Sequence, residues 1–142
     1  MAALKPTLIS GGNHTDERGI LSFNNNFDVS EVKRIYSISN ANKKTIRAWQ
    51  GHKVEQRWFT VVIGVFEIKL IKIDNWGHPS KNLEQHQYTL TSDSMDILHI
   101  PSGYVSSIQD VVGNSKLLVM ADYGLGELKD EFRFDATYFN KK

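Results

Sequence analysis

The sequence predicts an all-β fold, a sandwich or barrel of short strands, and two observations carry that expectation. Apolar residues alternate, or run in short blocks, at regular spacing, and the blocks are bounded by turn-forming stretches such as SNANKK, DNWGHPSKN, TSDS and VVGNS. Helical periodicity is weak throughout, which leaves strands to build the core. Its best instance is GELKDEFRFD near the C-terminus, where Leu128 and Phe132 stand four apart among charges and predict a short helical turn.

The elements follow in chain order. DERG at 16–19 is a charged turn leading into the short strand ILSF. Strands are then expected at 35–39 (IYSIS), 45–49 (TIRAW), 58–63 (WFTVVI), 66–73 (FEIKLIKI), 86–91 (HQYTLT), 96–100 (DILHI) and 116–121 (KLLVMA). Within 66–73 the alternation Phe66, Ile68, Leu70 changes phase to Ile71 and Ile73, which predicts either a β-bulge or a strand buried on both faces.

The 142 residues carry no internal repeat, low-complexity tract or linker, so one domain over 1–142 is expected. With no cysteine there is neither a disulfide nor a thiolate metal site, and any metal would need histidines and carboxylates. The N-terminal MAALKPTLISGGN lacks the apolar core of a signal peptide, and no run is long enough to span a membrane, which predicts a soluble, cytoplasmic protein. A net charge of +1 provides no global field for nucleic acid or an anionic membrane. An anionic ligand would have to be held by local arginines.

The densest polar stretch is RAWQGHKVEQRWF, from Arg47 to Phe59. On a regular strand Gln50, His52 and Val54 share one face, while Arg47, Trp49, Gly51 and Lys53 share the other. Arg47 reaches the pocket of His52 only through a twist or bulge. By default Trp49, Trp58 and Phe59 pack in a core or interface, and Lys53 and Arg57 are solvated charges. His14, His78 and His86 stand in turn-like or strand-edge surroundings, and His99 in ILHIP is expected to face away from its apolar neighbours.

Five stretches together, TDERGILSF (15–23), VKRIYSI (32–38), RAWQGHKVEQRWFTVVIG (47–64), LHIPSGY (98–104) and LLVMADYGLGE (117–127), resemble the WxcM-like or FdtA-like sugar-nucleotide 3,4-ketoisomerases of the RmlC-like cupin superfamily. The resemblance spans nearly the whole chain. It implies a single cupin jelly-roll barrel, a metal-free and cofactor-free proton transfer beside a sugar keto group, a dTDP-sugar as the bound partner, a homodimer, and a place in deoxysugar or polysaccharide biosynthesis. Aligning the metal motif of cupins on Gly64 and on Pro101, Ser102 and Gly103 puts Gln50, His52, Arg57 and Ser106 at the ligand positions. One ligand of four survives, and an arginine stands where a cation needs an anion.

One departure bears on the chemistry. The family usually credits proton shuttling to a histidine at the position of Gln50, and an amide donates and accepts hydrogen bonds but carries no proton at neutral pH. The resemblance therefore leaves His52 as the base, with Gln50 and Arg47 on the keto oxygen, and His52 is displaced from the usual position by roughly 6–7 Å along the strand. The acid tyrosine of the epimerase relatives falls near Leu118, so Tyr123, Tyr36 and Tyr104 stand as replacements. The resemblance puts Arg18 at the diphosphate and Lys53, Arg57 and Tyr104 among the substrate-binding residues, with Trp49 or Tyr36 packing on a base or sugar face. The alternative that Gln50 raises is a cupin that binds a nucleotide sugar or carbohydrate without turning it over.

Overall fold

The computed structural model describes residues 5–139. Among them the chain forms β1 (Thr7–Ile9), β2 (Gly12–Asp16), β3 (Gly19–Phe23), a 3-10 turn at Val29–Glu31, β4 (Arg34–Ile38), β5 (Ile46–His52), β6 (Arg57–Ile63), β7 (Val65–Lys72), β8 (His86–Thr91), β9 (Ile97–Ile100), β10 (Tyr104–Asp110), β11 (Lys116–Ala121) and β12 (Glu131–Arg133). Two five-stranded antiparallel sheets, ordered β1-β9-β6-β11-β4 and β12-β5-β10-β7-β8, make a jelly roll, and β2 and β3 form a separate two-stranded sheet. No helix of the described residues is long and apolar enough to cross a membrane.

The alternation read from the sequence places the core. Phe59 and Val61 of β6, Leu117 and Val119 of β11, and Leu98 and Ile100 of β9 turn inward from the first sheet. They meet Phe66, Ile68 and Leu70 of β7 and Ile108 of β10 from the second. The outer faces are covered too. Trp49, Ile71 and Ile73 pack under Phe139, Phe134 and Tyr138 from the C-terminal segment, while Trp58, Ile97 and Met120 pack under Ile9, Phe27 and Val32 from the N-terminal one.

This second layer settles the phase change in β7. Its pairing with β10 runs without a register shift from Tyr104↔Lys72 to Asp110↔Phe66, so the strand has no bulge. Phe66, Ile68 and Leu70 are buried on one face and Ile71 on the other, where Glu67 and Lys69 stay half-buried. The bulge lies in β5 instead. Against β10 the register passes from Ser106↔Gln50 to Ile108↔Arg47, so that two residues of β5, Ala48 and Trp49, face one of β10, Ser107.

Two further expectations change. The C-terminal helical turn is absent from 126–135: Glu131–Arg133 is a strand, pairing Glu131↔His52 and Arg133↔Gln50. Phe132 and Phe134, two apart, both pack beside Trp76, at 4.6 and 6.4 Å between ring centroids, and this period-two pair outweighs the Leu128/Phe132 spacing. Strand β10 is an addition, since its serines Ser106 and Ser107 dilute the apolar signal although both are buried.

Glycine is required where the backbones close in. A Cβ on Gly51 would stand 2.1 Å from the Tyr104 carbonyl oxygen, so only glycine lets β5 lie this close to β10. Gly64 has φ +84°, and a Cβ there would stand 2.0 Å from Ser115 Oγ, which itself accepts from the Val65 N–H at 3.1 Å.

Candidate active site

The bulge in β5 is what builds the site. With one extra residue between Arg47 and Gln50, the strict alternation is broken and both side chains open onto the same cavity of about 430 Å³, between β4, β5, β10 and β12. Tyr36, Ser37, Ser39, Arg57, Ser106 and Arg133 complete its polar lining. A second, more open cavity of about 530 Å³ adjoins it, sharing Tyr36, Gln50 and Arg57 and adding Arg34 and Glu131. Both volumes fall within the range of small-molecule sites.

Each polar side chain has a local tether. Arg47 Nε donates to Asn40 Oδ1 at 2.9 Å, and buried Asn40 donates in turn to the Ile108 and Thr45 carbonyls at 3.1 and 3.2 Å. Tyr36 lies between guanidinium groups, with Arg34 5.2 Å and Arg57 5.9 Å from its ring centroid. Gln50 Nε2 donates to Glu131 Oε2 at 2.6 Å, and Arg133 Nε donates to the same oxygen at 2.7 Å. Ser106 Oγ donates to the Gln50 carbonyl at 3.3 Å.

His52 sits behind this wall, in a network of buried charges. It is 7% exposed, and its Nδ1 lies 3.1 Å from Asp130 Oδ1 while its Nε2 meets Arg57 Nη2. A guanidinium can only donate, so Nε2 accepts and the ring is neutral, with its proton on Nδ1 toward Asp130. Burial, and then the Arg57 charge, push the His52 pKa below its ordinary 6.5, against the opposing pull of Asp130 and Glu55.

Asp130 is fixed from several sides, since the Val54 and Glu55 N–H groups donate to its Oδ2 at 2.6 and 2.9 Å. Burial pushes its carboxyl up, but those N–H groups and the His52 ring outweigh burial and hold it below the usual carboxylate range. Glu55, 6% exposed, accepts from Arg57 Nε at 3.1 Å and Arg34 Nη2 at 3.4 Å, so the guanidinium at the cavity wall is balanced by a buried anion.

The residues expected from the sequence thus divide. Gln50, Arg47, Arg57 and Tyr36 come together at the cavity. The expected base takes a different station: His52 lines only a small niche behind the cavity, and its one lone pair is engaged by Arg57. That niche also contains Gln50, Arg57 and Ser106, so the four positions aligned with the cupin metal motif do converge. Among the described residues no group of three histidine or carboxylate side chains is placed to hold a metal ion.

Tyr104 is buried in the core beside the same niche. Trp49 is not brought to the cavity: it points to the opposite face of β5, 5% exposed and edge-on to Phe139 at 5.5 Å. Lys53 is exposed beyond the end of β5, and Tyr123 is half-buried outside the two cavity linings. Arg18 stands at the tip of the β2-β3 hairpin, its side chain 84% exposed and paired with Asp16 at 2.8 Å. His99 faces away from Leu98 and Ile100, stacked on Trp58 at 5.2 Å and hydrogen-bonded to Gln56 at 2.7 Å.

Glu131, Arg133, Asp130 and Glu55 were not singled out in the sequence. The one local signal for the first two was the alternation of Phe132 and Phe134, which makes 131–134 a strand and sets Glu131 and Arg133 on a common face.

The comparisons agree with this architecture. A mutant of the 3,4-ketoisomerase QdtA from Thermoanaerobacterium thermosaccharolyticum, crystallised with TDP-4-keto-6-deoxyglucose, superposes with TM-score 0.71 at 22% identity, over 98% of this chain and 94% of that one. The WlaRB TDP-quinovose 3,4-ketoisomerase from Campylobacter jejuni gives TM-score 0.68 at 19% identity, over 98% and 100%. The rmlC epimerase of Mycobacterium tuberculosis gives 0.75 at 15% identity, over 96% and 72%. No curated protein matches the sequence. The family model described as "WxcM-like, C-terminal" matches residues 5–140, nearly the full length, and the chain belongs to that family, FdtA.

Proposed function

We propose that the protein is a sugar-nucleotide isomerase that moves a keto group between C4 and C3 of a nucleotide-linked 6-deoxyhexose. The observation that carries this reading is the cavity in which Arg47, Arg57 and Arg133 converge with Tyr36, Gln50 and Ser106, in a chain of this family. Guanidinium forks match the oxygens of a diphosphate. Gln50 and Ser106 supply the neutral hydrogen bonds that a sugar needs, and Gln50 holds the keto or enediolate oxygen.

The ketoisomerase QdtA was crystallised with TDP and, as a mutant, with TDP-4-keto-6-deoxyglucose, which supports a dTDP-sugar as ligand. The protein acts as a homodimer in this reading, with the exposed β2-β3 hairpin carrying Arg18 toward a partner's cavity. Exposed Ile20 and Leu21 on that hairpin support it.

The test is incubation with TDP-4-keto-6-deoxyglucose in D₂O, followed by NMR. Deuterium at C3 and C4 and appearance of the 3-keto sugar are expected. Gln50 and the engaged lone pair of His52 favour one other reading, a protein that binds nucleotide sugars without turnover. A ligand-induced rise in Tm with neither exchange nor product would establish it in place of the isomerase.

A further inference from the structure

The reaction needs a group that takes a proton from carbon beside a carbonyl and returns it to the neighbouring carbon. Resting on the isomerase reading, we propose that Glu131, on the C-terminal strand β12, is that group and stands in for the side chain missing at position 50.

Elimination leads to it first. Of the residues lining the two adjoining cavities, Glu131 is the one carboxylate, and no histidine is among them. Arginine, serine, glutamine and tyrosine side chains offer no free base at neutral pH. A carboxylate beside a carbonyl carbon is a known solution to this chemistry.

Geometry then places it. Glu131 meets Gln50, so the carboxylate adjoins the position from which the family's histidine would act. Both of its hydrogen bonds, from Gln50 and Arg133, fall on Oε2, and Oε1 accepts from none of the described residues. One oxygen orients the group and the other is left for the proton. Its side chain is 41% exposed, so a proton held there exchanges with water before its return.

The step balances within the sugar. Glu131 takes the C3 proton, the C–H pair becomes the C3–C4 double bond, and the carbonyl pair moves to O4. The hydroxyl proton passes from O3 to O4, C3=O forms, and the double-bond pair takes the proton from Glu131 at C4. C3 is oxidised as C4 is reduced, so no outside oxidant or reductant enters.

The experiment compares wild type, E131Q, E131D and the double variant E131Q/Q50H with TDP-4-keto-6-deoxyglucose, and measures TDP binding by the shift in Tm. E131Q is expected to lower kcat by about 10²–10⁴-fold with TDP binding within about threefold of wild type. E131D, which keeps the charge but withdraws it by about one bond, is expected to lose about 10²-fold in kcat and serves if E131Q fails to fold. Histidine at position 50 in the E131Q background is expected to restore activity at least about tenfold, with the acid limb of the pH–rate profile moving to higher pH because an imidazole replaces a carboxylate as the base.

Activity of E131Q within threefold of wild type would overturn the proposal, as would a loss of TDP binding in proportion to activity. An inert wild type overturns the isomerase reading, and this proposal with it.

Discussion

Arg57 is the residue on which the buried charges and the cavity meet, because its guanidinium touches His52 and Glu55 on one side and lines both cavities on the other. Arg57→Lys keeps the charge but not the fork. Loss of one charge-assisted hydrogen bond is expected to weaken TDP binding by about 10–100-fold, measured by titration calorimetry. His52 makes a prediction about pH. Its folded pKa is lowered, mainly by burial, so below the unfolded value of 6.5 the unfolded chain binds the extra proton and stability falls as pH falls. Wild-type Tm should therefore drop between about pH 6.5 and 5, and His52→Gln should lessen the drop; an unchanged slope would contradict the buried neutral ring. His99, also lowered mainly by burial, supplies part of what remains. At this scale fewer than half of the candidate site's expected residues line the cavity. Gln50, Arg47, Arg57 and Tyr36 were legible from motif positions. The network that engages His52 was not, since Asp130 lies 78 residues away from it along the chain.

Strand β5 decides at the level of elements which of these side chains face the cavity. The sequence alternation separates Arg47 from Gln50, and the extra residue opposite β10 reunites them. The close contact at Gly51 holds β5 against β10 beside that bulge. Gly51→Ala is accordingly expected to cost about 1–3 kcal/mol, read as a lower urea midpoint, because the new Cβ meets backbone that cannot turn aside. Most strands were legible because alternation is a local signal. Strand β12 was misread for a reason of the same kind: over so few residues Leu128 and Phe132 fit a helix as readily as Phe132 and Phe134 fit a strand. Pairing with β5, and Trp76 beneath the two phenylalanines, decide it.

The whole molecule is a two-sheet core whose outer faces are closed by the two ends of the chain, and the C-terminal end does more than cover. Residues 130–139 bring Asp130 to His52, Arg133 to the first cavity and Glu131 to the adjoining one, and Phe139 onto Trp49. Truncation after Lys129 should therefore lose cooperative unfolding and expose apolar surface, seen as dye binding, even though the inter-sheet cluster is made by other strands. By itself the sequence determined that the protein is all-β and that its motifs follow the order of its family, a resemblance that implies a histidine at the position of Gln50. Each is a property of neighbouring residues or of motif order. Only the tertiary structure decided that Arg47 and Gln50 share a cavity, that His52 lies behind it, and that a carboxylate from the far end of the chain meets Gln50. Those outcomes depend on strand register and on pairing between distant segments, which no local period encodes.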